Sequence, residues 1–345
     1  MSAVTKFATI ASLTVAGVIS LASISAHADG DVNVYSYRQP FLVKPLFDAF
    51  TKSTGIKVNV IFAKKGLIER VAQEGKNSPA DVVLTTDISR LDLSVKRGIS
   101  QPLTSDVLAK NIPAAFRDPK GNWFGLTQRA RVAYVSRERV KQTAITYEEL
   151  ADPKWKGKIC IRSGQHDYNL GMIAGFMAKH GEAKTEEWLK ALKANLARKP
   201  GGNDRAQVKG VYAGECDIAI ANTYYMGAML TYKKNPEQKK WAHSVRILFP
   251  NTQDRGAHVN LSGMVLAKHA PNKANAVKLM EFLSGSEAQQ IYASKNFEYP
   301  VKQGVPWSEL VQSWGKFKAD KTSLAKIAEL RAKASTLVDK VGFNN

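Results

Sequence analysis

Two hydrophobic periods alternate along the chain. Val32-Asn33-Val34-Tyr35-Ser36-Tyr37 reads as a strand, and residues 40–51 follow with Phe41, Leu42, Leu46, Phe47 and Phe50 at helical spacing. Gly55 supplies a helix stop. Residues 57–63 alternate as a second strand, 67–74 read as a short helix, 80–84 as a buried strand and 87–96 as a helix. This strand–helix series predicts a parallel sheet with helices on both faces. Residues 123–126 and 131–135 read as two strands leading into a second lobe. There the pattern predicts a short helix at 147–150, a strand at 158–161 and a loop at 163–168. Helices at 170–180, 185–195 and 204–213 precede a strand at 217–221. Strands at 245–248 and 263–267, and helices at 273–283, 286–295 and 323–340, complete the chain. Two α/β lobes joined by crossing strands enclose a cleft that can close by hinge motion. In such sheets ligands sit where strands end and helices begin.

The first 28 residues do not fit this pattern. Lys6 precedes an apolar stretch from Phe7 to about Leu21, and Ala26-His27-Ala28 has the small-x-small form of a cleavage site. We read residues 1–28 as a secretory signal peptide cut after Ala28, which places the mature protein in the periplasm. The apolar run is short and broken by Ser and Thr, which argues against a membrane anchor, and no later segment is apolar enough to span a bilayer. Export permits a disulfide. The two cysteines, Cys160 and Cys216, each abut a strand-like run, so two parallel neighbouring strands can bring them together; two buried free thiols are the alternative.

The 345 residues carry 50 Lys and Arg against 30 Asp and Glu, a formal charge of +20. The basic residues are spread along the chain rather than gathered in a tail, and no nucleic-acid motif is present. A solvated basic surface follows, suited to anionic ligands or an acidic partner. No Gly-x-Ser-x-Gly elbow or His-Glu-x-x-His motif occurs, so nothing points to an enzyme.

Tyrosines stand at the predicted strand ends: Tyr37 after the first strand, Tyr168 in the loop at 163–168, and Tyr224 and Tyr225 after the strand at 217–221. A phenolate is a hard anionic donor suited to ferric iron, whereas zinc or copper would recruit His or Cys. A bound cation stabilises a phenol's deprotonated form. Tyrosines in clefts also stack on sugars and apolar ligands, so spacing alone does not decide.

Cys216-Asp217-Ile218-Ala219-Ile220-Ala221-Asn222-Thr223-Tyr224-Tyr225 resembles the tyrosine-pair motif of periplasmic ferric-ion-binding proteins, the substrate-binding components of bacterial iron-uptake ABC transporters. Val32–Tyr37, the segment from Trp123 to Val132, Pro153-Lys154-Trp155-Lys156-Gly157-Lys158, Arg162-Ser163-Gly164 and Gly202-Asn203-Asp204-Arg205 keep that family's order over essentially the whole mature chain. The resemblance implies a two-lobed α/β periplasmic-binding-protein fold of type II, each lobe a mainly parallel sheet flanked by helices. The lobes are expected at 29–128 with about 254–306, and at about 129–253 with 307–345. It implies that a monomer captures Fe³⁺ and delivers it to an inner-membrane ABC permease.

Carried over by position, Tyr224 and Tyr225 are iron ligands and Tyr168 matches a further tyrosine ligand of one branch. Several members have His followed by Tyr in the first lobe, where this chain has Gln39 and Pro40; Tyr37, two residues earlier, is the candidate substitute. Four phenolates leave two of six ferric coordination places, which a bidentate synergistic anion such as carbonate can fill. Arg129 or Arg131 can hold it through a two-pronged contact. In an extended segment both lie on one face, so spacing does not choose; Arg129 is preferred as nearer the crossover. Ser163, Gly164 and Gln165 at a predicted helix start offer a second anion site. His166 is a lesser candidate for the metal's surroundings. The competing reading is a protein of the same fold for a polyamine, thiamine, phosphonate or sulfate-like anion, with Asp167 and Asp204 as the acidic groups a polyamine would need.

Overall fold

The computed structural model describes residues 30–345 except 232 and 234. The proposed signal peptide, with its cleavage after Ala28, lies outside the described residues.

The first series forms as the pattern predicts: β1 (Val32–Ser36), α1 (Pro40–Thr54), β2 (Val58–Phe62), α2 (Leu67–Glu74), β3 (Val82–Thr85) and α3 (Ile88–Lys96). β1 lies between β2 and β3 and runs parallel to both. α1 starts on Pro40, whose missing N–H costs nothing in a first turn. It stops at Gly55, which takes the left-handed conformation. Asp87 caps α3 by accepting from the Ser89 amide. A short α4 (Asp106–Asn111), which the pattern does not predict, leads to β4 (Phe124–Ser136).

β4 is one 13-residue strand where two were expected. Thr127-Gln128-Arg129-Ala130 breaks the apolar run in sequence. In the structure Thr127 and Arg129 are buried, because Thr127 donates to Glu298 and Arg129 to Ser262. Satisfied polar groups can lie inside a sheet, and a hydropathy pattern does not see the satisfaction.

Beyond β4 follow β5 (Ile159–Cys160), α5 (Asp167–His180), α6 (Glu182–Ala194), α7 (Asp204–Tyr212), β6 (Ile218–Asn222), α8 (Tyr224–Thr231), α9 (Glu237–His243) and β7 (Val245–Leu248). The chain returns through β8 (Val259–Leu266), α10 (Lys273–Ser284), α11 (Ser286–Lys295) and β9 (Tyr299–Pro300). It ends in α12 (Glu309–Gln312) and α13 (Leu324–Lys340).

Strand order is β2-β1-β3-β8-β4-β6-β5, with β7 and β9 also on β4. From Phe124 to Ala130, β4 pairs antiparallel with β8; from Arg131 to Val135 it pairs antiparallel with β6. One strand therefore belongs to both lobes. The sheets are mixed: β1 with its two neighbours and β5 with β6 are parallel, while β4 and β8, which carry the chain out and back, run antiparallel to theirs. Along β4 the side chains alternate as a pleat requires. Ala133 and Val135 join one buried cluster; Ala130, Val132 and Tyr134 join another.

β5 and β6 are parallel neighbours, and Cys160 is bonded to Cys216 beside them. Cross-linking residues 56 apart constrains the unfolded chain by about 4 kcal/mol on the chain-entropy account. No helix among the described residues is long and apolar enough to cross a membrane.

Candidate functional site

The tyrosines of the second lobe begin helices rather than occupying loops. Tyr168 is the second residue of α5, which starts three residues before its predicted 170, and Tyr224 and Tyr225 open α8. His166 explains the early start: its side chain caps α5, Nδ1 accepting from the Tyr168 amide at 3.2 Å. That nitrogen thus presents its lone pair to the backbone and is not free to ligate. The His166 ring packs edge-on to Tyr168, with centroids 4.5 Å apart. Burial and then the neighbouring Arg162 hold the His166 pKa down at about 4, so the ring is neutral.

The two helix starts meet. The Tyr224 hydroxyl donates to the Tyr168 hydroxyl oxygen at 3.1 Å, and the rings of Tyr224 and Tyr225 lie 4.4 Å apart. Burial, then the adjacent Tyr168 and Tyr225, push the Tyr224 pKa well above its ordinary value. Burial, Tyr168 and Asp204 do the same to Tyr225. Tyr224 and Tyr225 therefore stay protonated at neutral pH unless a cation is supplied. Tyr37 is separate. It follows β1, lies 8% exposed, and its oxygen accepts from the Ile68 amide at the start of α2 at 2.9 Å. The Arg90 guanidinium sits 4.2 Å from its ring centre. Burial raises its pKa, while the Ile68 amide and Arg90 oppose the rise. Among the described residues no hydrogen bond or ring contact joins Tyr37 to the other three tyrosines.

The structure separates the two arginines that the sequence left equivalent. Arg131 is spent. Its Nη1 donates to Asp204 at 2.6 Å and to Asn222, its Nη2 to Asn169 and the Ile220 carbonyl, and its Nε to Asn169. Arg129 is 2% exposed, yet it donates only from Nη1 to Ser262; its Nε is buried without a partner. Arg38, beside Tyr37, shares that Ser262 and is neutralised by Glu298 at 2.8 Å. Arg129 therefore retains donor capacity for an anion.

The loop at Ser163-Gly164-Gln165 does not offer such capacity. The Gly164 amide donates to the Asn344 side chain and the Gln165 amide to Ser163 Oγ, while the Gln165 side chain is tied to Ser335 and Asp339 of α13. The loop anchors the C-terminal helix, and these two amides are committed.

Three residues take positioning roles that the sequence did not show: Tyr134 and Phe297, which it did not single out, and Asp204, which it offered only as an acidic group for a polyamine. Asp204 is fully buried and accepts from Arg131, Arg162 and the Asn222 amide at the end of β6. Two guanidiniums on one carboxylate leave this wall of the site positive. Tyr134 is also fully buried; its hydroxyl accepts from the Met226 amide in the first turn of α8 and donates to the carbonyls of Asn222 and Thr223. It clamps the turn that aims the tyrosine pair. Phe297, between α11 and β9, adopts a left-handed backbone with φ of 56° and lies so close to Gly227 of α8 that a Cβ there would stand 2.2 Å from its ring. An outlying φ at a bulky residue is the only local mark of such a contact, and sequence does not display it. Finally, among the described residues no group of three or more His, Cys, Asp or Glu is placed to hold a metal ion.

Comparison with known proteins bears on this arrangement. Residues 77–318 match the family described as bacterial extracellular solute-binding protein. Iron uptake protein A1 of Synechocystis sp. is 46% identical, with 91% of this chain and 87% of that one covered. The crystal structure of Pasteurella haemolytica apo ferric ion-binding protein A superposes with a TM-score of 0.86 at 52% identity, covering 91% of this chain and 98% of that one. A Trichodesmium protein in complex with iron and citrate ligands gives 0.87 at 45% identity, covering 91% and 100%.

Proposed function

The chain belongs to the ferric-ion-binding branch of the bacterial extracellular solute-binding proteins, and on that premise we propose that it captures ferric iron in the periplasm and delivers it to an inner-membrane ABC permease. The supporting observation is the convergence of Tyr168, Tyr224 and Tyr225 at two helix starts, with Tyr224 and Tyr168 sharing a hydrogen bond of 3.1 Å. Each proton in that cluster is a proton a trivalent cation can displace. The positive ends of α5 and α8 and the surplus of guanidinium charge around Asp204 stabilise the phenolates that remain. Tyr37 is the fourth ligand, brought from the first lobe, and its phenolate is favoured by the Ile68 amide and Arg90.

Four phenolates leave the ferric unit one charge negative and two coordination places open. A carbonate or similar anion fills them, held by Arg129, whose Nε is otherwise unpartnered. Arg131 serves instead as the buried prop of the wall. The lobes are residues 29–128 with about 254–306, and about 129–253 with 307–345. Closing them excludes water from the metal and so prevents hydrolysis of the ferric ion. The chain works as a carrier and not as an enzyme.

Tyr225→Phe tests the ligand assignment. It removes one oxygen and leaves the ring that packs on Tyr224. Iron retention against a competing chelator is expected to fall at least 100-fold with the unfolding midpoint unchanged. Unchanged retention would remove Tyr225 from the ligand set.

A further inference from the structure

Away from the phenol oxygens, a line of ionic contacts crosses the cleft. Arg90, on α3 in the first lobe, lies over the Tyr37 ring and donates from Nη2 to Asp167 Oδ2 at 3.3 Å. Asp167 is the first residue of α5 in the second lobe and precedes Tyr168. Arg331, on α13, donates from Nη2 to Asp167 Oδ1 at 2.9 Å and from Nη1 to the Asp167 carbonyl at 3.0 Å. The same Nη1 lies 3.3 Å from Oδ1 of Asp87, the cap of α3. The first turn of α3 is thus joined to the first turn of α5 twice, once directly and once through Arg331.

These contacts divide between two bodies. Arg331 moves with α5, because Gln165 is bonded to Ser335 and Asp339 of the same helix and Gly164 to Asn344 beyond it. Asp87 and Arg90 move with α3, and Asp87 is further fixed there by Ser89 and by Asn260 of β8. Parting the lobes breaks the Arg331–Asp87 and Arg90–Asp167 contacts together and leaves Arg331–Asp167 whole. Both cross-lobe contacts therefore favour the present arrangement over one in which the lobes stand further apart. They are also partly shielded: Arg331 and Asp87 have side chains 11% and 2% exposed. A pair so placed is screened far less than one on an open surface.

We propose that the Arg331–Asp87 and Arg90–Asp167 contacts form an interlobe latch that sets how long the cargo is retained, separately from the groups that ligate it. Its action on iron rests on the tyrosine reading above. A contact made in the nearer arrangement of the lobes alone shifts the balance against a wider-open form, and thereby the rate of escape, without altering the coordination chemistry.

Arg331→Gln removes one contact of the latch from a helix that carries no proposed ligand, and Asp167→Asn removes the other. Both variants are expected to bind one iron per chain with the visible phenolate-to-iron band unmoved. Transfer of iron to excess EDTA is expected to run about 10-fold faster in each, with the double variant, which loses both cross-lobe contacts, faster than either single one. Small-angle scattering of the unloaded proteins is expected to show a larger radius of gyration for both variants than for the unsubstituted chain. Transfer rates and radii equal to those of the unsubstituted protein would overturn the latch while the band upholds the tyrosines. Absence of the band in every protein, with the radii still increased, would overturn the tyrosine reading and uphold the latch.

Discussion

Asp204 holds Arg131, Arg162 and the amide that ends β6, and water reaches none of its surface. Asp204→Ala leaves Arg131 buried with no opposing charge, and breaking a buried pair by removing one partner costs about 3–5 kcal/mol. Chemical denaturation is expected to show a loss of that size, and a loss below about 1 kcal/mol would mean that water replaces the carboxylate. His258 gives a second residue-scale expectation. It is buried, its Nε2 has no partner, and burial lowers its pKa to about 3. The unfolded chain takes up this proton near pH 6.5 and the folded chain does not until about pH 3. The contribution is therefore intact above pH 6.5 and lost as pH falls, by roughly 1.4 kcal/mol per unit between those values. His258→Gln is expected to flatten the fall in unfolding free energy between pH 6.5 and 4; an equally steep fall would assign the slope to other groups. Legibility at this scale was uneven. The tyrosines could be singled out because Tyr37, Tyr224 and Tyr225 follow the ends of β1 and β6, and Tyr168 lies in the first turn of the helix that follows β5. Arg129 and Arg131 could not be told apart, since their difference lies in Asp204, 73 residues from Arg131 in the chain.

Gly227 makes the element-scale argument. α8 can lie against Phe297 only because residue 227 has no side chain, and the nearest ring atom would stand 2.2 Å from a Cβ. Phe297 comes from the segment leading to β9, which pairs with β4 near Thr127, so the contact ties the tyrosine-bearing helix to the first lobe. Gly227→Ala is expected to push these elements apart, weakening iron retention about 10-fold or more while the spread of the loss on stability stays within the roughly 1–3 kcal/mol of an overpacked site. Retention equal to that of the unsubstituted protein would show that Phe297 yields freely. Most elements were legible from periodicity: α2 and β7 take their predicted bounds, and α11 does too. The departures have local causes. β4 was divided at polar residues that the sheet satisfies internally, and α5 was begun late because His166 is an uncommon cap.

The two-lobed architecture was legible in the order of strands and helices, and the mixed pairing of the sheets was not. A strand that crosses between lobes shows the same alternation whichever way its neighbours run, so β4 and β8 carried no sign of their antiparallel pairing. At the scale of the whole molecule, charge and chemistry converge on the cleft. The chain carries a formal charge of +20, the wall around Asp204 is positive, and Arg129 keeps an unpartnered donor. Such a site draws in anions, and on the proposed function it accepts a trivalent cation once phenolates have formed there. The central claim is that tyrosine oxygens hold the metal. Its most direct test is the visible absorption spectrum of metal-free protein titrated with ferric citrate. A phenolate-to-iron charge-transfer band that grows and saturates at about one iron per chain, the single site expected of a phenolate-bound cation, is the predicted result. Tight iron binding without that band, or no binding at all, would contradict it.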